Sequence, residues 1–134
     1  MKKEEFELLT GQDAWSTAAV CGLPSLRLSD GPHGLRYVVR EEGEDQIALP
    51  STCYPTLSAL GNSFDADLVY RVGQALAEDC IANDVAVILG PGVNLKRTPL
   101  CGRNFEYFSE DGVLAGTLAK AYIKGVQSKG VGTS

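Results

Sequence analysis

Two short segments carry the residue types from which a polar binding or catalytic site is built. The first is Ser29 Asp30 Gly31 Pro32 His33 Gly34 Leu35 Arg36. The second runs from Gly90 Pro91 Gly92 Val93 Asn94 to Arg103 Asn104 Phe105 Glu106 and on to Glu110 Asp111. Asp30 has two readings: a turn starter that accepts bonds from backbone amides, or a carboxylate that takes hydrogen bonds from ligand hydroxyls or moves a proton. Arg103 beside Asn104, with Glu106 close by, is either a surface ion pair or a planar donor for vicinal oxygens. Glycoside hydrolysis needs two carboxyl groups about 5 to 9.5 Å apart, so Asp30 with Glu106 is a third arrangement that composition allows. His33 is read as a loop residue, because no nucleophile stands beside it. Gly90 Pro91 Gly92 has neither the G-x-G-x-x-G nor the Walker pattern, which argues against a nucleotide site.

The elements around these clusters read as α/β. Leu23 to Ser29 alternates apolar and polar residues and is expected to be a strand ending at Asp30, so the first cluster follows directly at its carboxyl end. Gly31 to about Thr52, with the acidic run Glu41 to Asp45 at its centre, is expected to be a long exposed loop. Residues 55 to 63 fit a short helix or a strand equally well. Asp65 is a good N-cap for a helix to about Asn83, with Leu68, Val72, Leu76 and Cys80 on one face. Val85 to Leu89 is apolar without alternation, as in a parallel strand buried on both faces. A second helix is expected over 110 to 129. Leu114, Leu118, Ala121, Tyr122 and Val126 form its inner face, Glu110 and Asp111 its first turn, and Gly130 its cap. Residues 3 to 9 read as a short amphipathic helix, and Val131 to Ser134 as the start of another strand.

In parallel α/β folds ligands bind at the carboxyl ends of strands, which is where both polar clusters fall. The chain has 134 residues, so one domain is its ceiling, and an unfinished last strand leads us to expect a fragment of a larger fold. Its 12 basic and 17 acidic residues give a net charge of −5 with no basic run, which argues against nucleic acid as a partner. No stretch approaches the roughly 18 apolar residues of a membrane span. The charged amino terminus does not look like a secretory signal, and Cys21, Cys53, Cys80 and Cys101 lack paired spacing. The expectation is a cytoplasmic protein with reduced thiols and no metal or other cofactor.

Taken in order, the segments Ser29 to Arg36, Thr52 Cys53 Tyr54 Pro55 Thr56, Leu89 to Arg97 and Cys101 to Asp111 resemble glycoside hydrolase family 3, most of all its β-glucosidases. The similarity runs from about Leu9 to Ser134. It implies that residues 1–134 are the N-terminal part of a (β/α)8 TIM-type barrel domain, its first two to three βα units. The implied activity is retaining hydrolysis of β-glucosides or related carbohydrates. Asp30 matches the family's aspartate that accepts hydrogen bonds from hydroxyls of the nonreducing sugar, and Arg103 matches the arginine that helps hold that sugar. Glu106 is read as a supporting acid near Arg103. The resemblance puts no catalytic residue in this chain, since the family's Lys-His pair, nucleophile and acid/base fall beyond Ser134. Gly112 departs from the family pattern, standing where a proline is usual. A different reading is a self-associating α/β binding or assembly module, with open strand edges paired between copies.

Overall fold

In the computed structural model of the chain, Phe6, residues 10–39 and residues 47–134 are described. The helix expected over 3 to 9, Phe6 aside, and the acidic run Glu41 to Asp45 lie outside these residues. Three parallel strands form one sheet in the order β1 (Leu28–Asp30), β4 (Val87–Leu89), β5 (Gly132–Thr133). The register pairs Ser29 with Ile88, and Ile88 with Thr133. Helix α2 (Ala66–Ala82) connects β1 to β4, and α3 (Gly112–Gln127) connects β4 to β5. This βαβαβ order is compatible with the opening of a (β/α)8 barrel, which the resemblance implies.

Both long helices begin where their caps dictate. Asp65 accepts a hydrogen bond from the Leu68 amide and Asp111 one from the Leu114 amide, each worth about 1 kcal/mol. Asp111 therefore caps α3 instead of lying in its first turn. The C-cap is Ser128, and Gly130 sits two residues beyond it at φ +83°. The inner face of α2 is Val69, Gly73, Leu76, Ala77 and Cys80. Leu68 and Val72, expected on that face, are only partly buried. Burial raises the Cys80 thiol to about 11, with Asp79 adding to the shift. The two helices touch through glycines: a Cβ on Gly73 would lie 2.6 Å from the Tyr122 carbonyl, and one on Gly125 would collide with the Tyr70 carbonyl. Close packing explains Gly125, whereas Gly116 faces open space.

The strands are shorter than the alternation suggests. Leu23 and Leu26 are exposed, and this segment pairs outside β1 through the Arg27–Ser16 bridge and the bonds between Leu26 and Thr17. One bridge does not extend the strand. Within the segment expected as a long exposed loop, Ile47 to Thr52 are exposed, but Val38–Val39 (β2) pairs antiparallel with Ile47–Ala48 (β3) and Leu35 is buried. Residues 57–61 form a short helix, α1, capped by Thr56. In β4, Ile88 is fully buried against the helices, but Val87 and Leu89 on the opposite face are only half-buried. That strand was expected to be covered on both sides. Among the described residues no layer covers the second face, and Leu28 and Asp30 share it because side chains alternate along a strand.

Candidate functional site

A pocket of about 800 Å³ opens at the carboxyl ends of β1 and β4. It is lined by Asp30, Gly31, Pro32, His33, Gly34 and Arg36 from β1 and the loop after it, and by Leu89, Gly90, Pro91 and Gly92 at the end of β4. Arg103, Phe105, Glu106 and Ser134 complete the lining. The fold thus brings Asp30, Arg103 and Glu106 into one cavity. Glu110 and Asp111 do not join them: Glu110 lines a separate small cavity with Lys96 and Phe108, and Asp111 is occupied as the cap of α3.

Asp30 ends β1. Its backbone carbonyl accepts from the Arg36 amide at 2.8 Å, and the buried Ser29 hydroxyl bonds the Arg36 carbonyl at 2.9 Å. These bonds close the loop behind Asp30. Its carboxylate has no hydrogen bond or ion pair to any described residue, so both oxygens are left to accept from a ligand.

Arg103 stands at the start of a 3₁₀ turn, Asn104–Glu106, and is bound to the turn's last residue. Its Nε donates to Glu106 Oε1 at 2.5 Å and its Nη2 to Oε2 at 3.0 Å. The Glu106 side chain is 14% exposed and that of Arg103 68%. Hydrogen bonds from Arg103, reinforced by its charge, hold the Glu106 carboxyl below the usual carboxylate range although burial opposes this. The same pair pushes the guanidinium further up. Glu106 is therefore a fixed anion with both oxygens engaged, which suits orienting Arg103 and does not suit donating a proton. The remaining N–H groups of Arg103 are free to bind oxygens in the pocket.

The turn itself hangs on Ser58 of α1, whose hydroxyl lies 2.8 Å from the Asn104 carbonyl and 3.3 Å from that of Tyr107. Lys96 Nζ donates to the same hydroxyl at 2.6 Å. The Asn104 amide donates to the Thr98 carbonyl. Sequence reasoning gives neither Ser58 nor Lys96 a role of its own, although Lys96 falls in the segment Leu89 to Arg97, because their partners lie more than 35 residues away. It also read His33 as a plain loop residue. His33 in fact lines the pocket and meets Phe105 edge to face, with ring centres 5.6 Å apart. An apolar aromatic wall thus adjoins the charged groups.

The model for the N-terminal domain of glycosyl hydrolase family 3 matches residues 21–134. The chain belongs to this family. Thermostable β-glucosidase B of Acetivibrio thermocellus is 50% identical over 97% of the chain, which spans 18% of that relative. Exo-α-(1→6)-L-arabinopyranosidase of Bifidobacterium longum is also 50% identical, over 98% of the chain and 18% of its own length. Among solved structures, the family 3 β-glucosidase of Bifidobacterium adolescentis matches with a TM-score of 0.85 at 48% identity, covering all of this chain and 19% of that one. The β-glucosidase of Kluyveromyces marxianus in complex with glucose matches with a TM-score of 0.88 at 39% identity, over 99% of this chain and 16% of that one. The chain therefore spans less than a fifth of the relatives it matches. The family 3 fold accounts for the architecture seen here, a partial barrel with its pocket at the strand ends.

Proposed function

We propose that this chain supplies part of the sugar-binding site of a longer retaining glycosidase that cleaves β-glucosides or closely related glycosides. One observation carries the reading: a carboxylate with no partner among the described residues, Asp30, shares a pocket with a guanidinium, Arg103, that is held in place by Glu106. A carboxylate accepts from neighbouring hydroxyls and a planar fork donates to others, so together they select the orientation of a sugar ring. Phe105, half-exposed at the rim, offers an apolar face to the ring's C–H side. In this reading Asp30 and Arg103 bind, Glu106 orients Arg103, and the nucleophile and the acid/base come from sequence beyond Ser134. Names of relatives support more than one sugar: β-glucosidases and an arabinopyranosidase are equally similar.

The test is nitrophenol release from aryl β-D-glucoside and aryl α-L-arabinopyranoside by the 134-residue chain, run beside the product of the uninterrupted reading frame. Activity confined to the longer protein is the expected result. Turnover by the short chain that is lost in Asp30→Ala or Glu106→Ala would overturn the division of labour.

A second reading has one observation in its favour. β5 is an outer strand of the sheet with one edge unpaired among the described residues, whereas the outer edge of β1 is taken up by Trp15 and Arg36, and an open edge can pair with another chain. Isolated copies of the chain would then self-associate, and sedimentation as a stable folded monomer would count against it.

A further inference from the structure

Four successive carbonyls of the Asp30 loop each have a fixed donor. That of Asp30 accepts from the Arg36 amide at 2.8 Å, that of Gly31 from the Gly34 amide at 3.3 Å, and that of His33 from the Tyr54 amide at 2.9 Å. The carbonyl of Pro32 is different, since its donor is a side chain. The Tyr122 hydroxyl, 90 residues away on α3, reaches it at 2.9 Å. Tyr122 is fully buried, and burial pushes its phenol well above the ordinary value, so the hydroxyl stays a donor. The end of β4 meets the same point: a Cβ on Gly90 would lie 2.9 Å from Pro32 Cα and 3.3 Å from the Tyr122 hydroxyl. Helix α3, the loop after β1 and the loop after β4 therefore converge on one phenolic oxygen, next to Pro32 and Gly90, which line the pocket.

We infer that Tyr122 is a positioning residue for the sugar site, fixing the Pro32 carbonyl and through it the direction in which Asp30 and His33 face the pocket. The inference rests on the reading of Asp30 as a sugar ligand. A phenol is suited to this work: its ring fills the space between α3 and the sheet while a single polar atom at its tip reaches the loop. A phenylalanine would fill the same space and leave the Pro32 carbonyl without a donor.

Tyr122→Phe in the full-length protein separates these two contributions. Amide exchange in a peptide covering residues 30–36 is expected to quicken about fivefold while peptides from α2 keep their rates. For an aryl β-D-glucoside, kcat/KM is expected to fall about fivefold to tenfold, the scale of one lost hydrogen bond. In an Asp30→Asn background the same change is expected to cost less than about twofold, because Tyr122 acts through the loop that carries Asp30. Equal losses in both backgrounds, or a lower melting temperature with unchanged kcat/KM, would overturn the inference. A full-length parent that cleaves no aryl glycoside overturns the sugar-site reading instead. In that case unchanged exchange at 30–36 still overturns the role given to Tyr122, and faster exchange there supports it.

Discussion

Asp30 and Arg103 face one pocket, yet the segments that carry them are held in different ways. The loop behind Asp30 is closed by backbone hydrogen bonds from Arg36, Gly34 and Tyr54, with the Ser29 and Tyr122 hydroxyls added to them, and leaves the carboxylate without a partner among the described residues. The turn behind Arg103 hangs on side chains, Ser58, Lys96 and Asn104, and the guanidinium is already engaged with Glu106. One wall presents an acceptor with no partner among the described residues, on a loop whose Gly31 and Gly34 leave no room for a side chain. The other presents a donor whose direction depends on its neighbours. In the proposed site a ligand is expected to gain most from Asp30, because no interaction with a described residue has to be given up to bind it.

The comparison breaks most sharply at Asp30. Asp30→Ala in the full-length protein is expected to lower kcat/KM for an aryl β-D-glucoside at least about a hundredfold, since it removes two charged acceptor contacts. Its melting temperature should stay within about 2 °C of the parent, because no described residue leans on that carboxylate. A large loss of stability would place Asp30 among the structural ties after all. Arg103→Lys comes next, with an expected loss of about tenfold: a point charge keeps the attraction to Glu106 but loses the fork. Steady-state kinetics check it, and full activity in the lysine variant would show that Arg103 acts only through charge.

Ser58→Ala sharpens the contrast between the walls. Removing this hydroxyl frees the Asn104–Glu106 turn, and KM is expected to rise about threefold with kcat little changed. Amide exchange should quicken at residues 103–107 and not at 30–36. The smallest effect concerns pH. Because the folded-state carboxyl of Glu106 is lowered, its contribution to stability is present above the unfolded carboxylate value and is lost as pH falls through the folded one. The difference in melting temperature between the parent and Glu106→Gln should hold from neutrality to about pH 5 and close below it.

How much of this was legible in the sequence depends on how local the physics is. Asp65 and Asp111 are followed by apolar residues at helical spacing, so both long helices could be read and only their end residues moved. Val85 to Leu89 announced β4 through its unbroken apolar run. The β2–β3 pair could not be read, because two-residue strands show no period. Leu23 to Arg27 misled, because its contact with Ser16 and Thr17 stops at a single bridge and leaves Leu23 and Leu26 exposed. In the site, residue types and order pointed to Asp30, Arg103 and Glu106. Ser58 and Tyr122 escaped notice, one as an ordinary polar residue and the other as part of an apolar helix face.

The sequence by itself determined the elements whose causes lie within a few residues: caps, helical stripes, the buried strand, and the polar segments that follow the strands. It also carried the ordered motifs that identify the family, because those are written in contiguous residues. Only the tertiary structure decided that β1 and β4 lie side by side, so that two segments about 70 residues apart form one cavity. It alone decided that Glu106 turns to Arg103 and that the Tyr122 hydroxyl reaches Pro32. Those outcomes depend on which groups meet across the chain, and a hydrogen bond to a distant carbonyl leaves no period in the sequence.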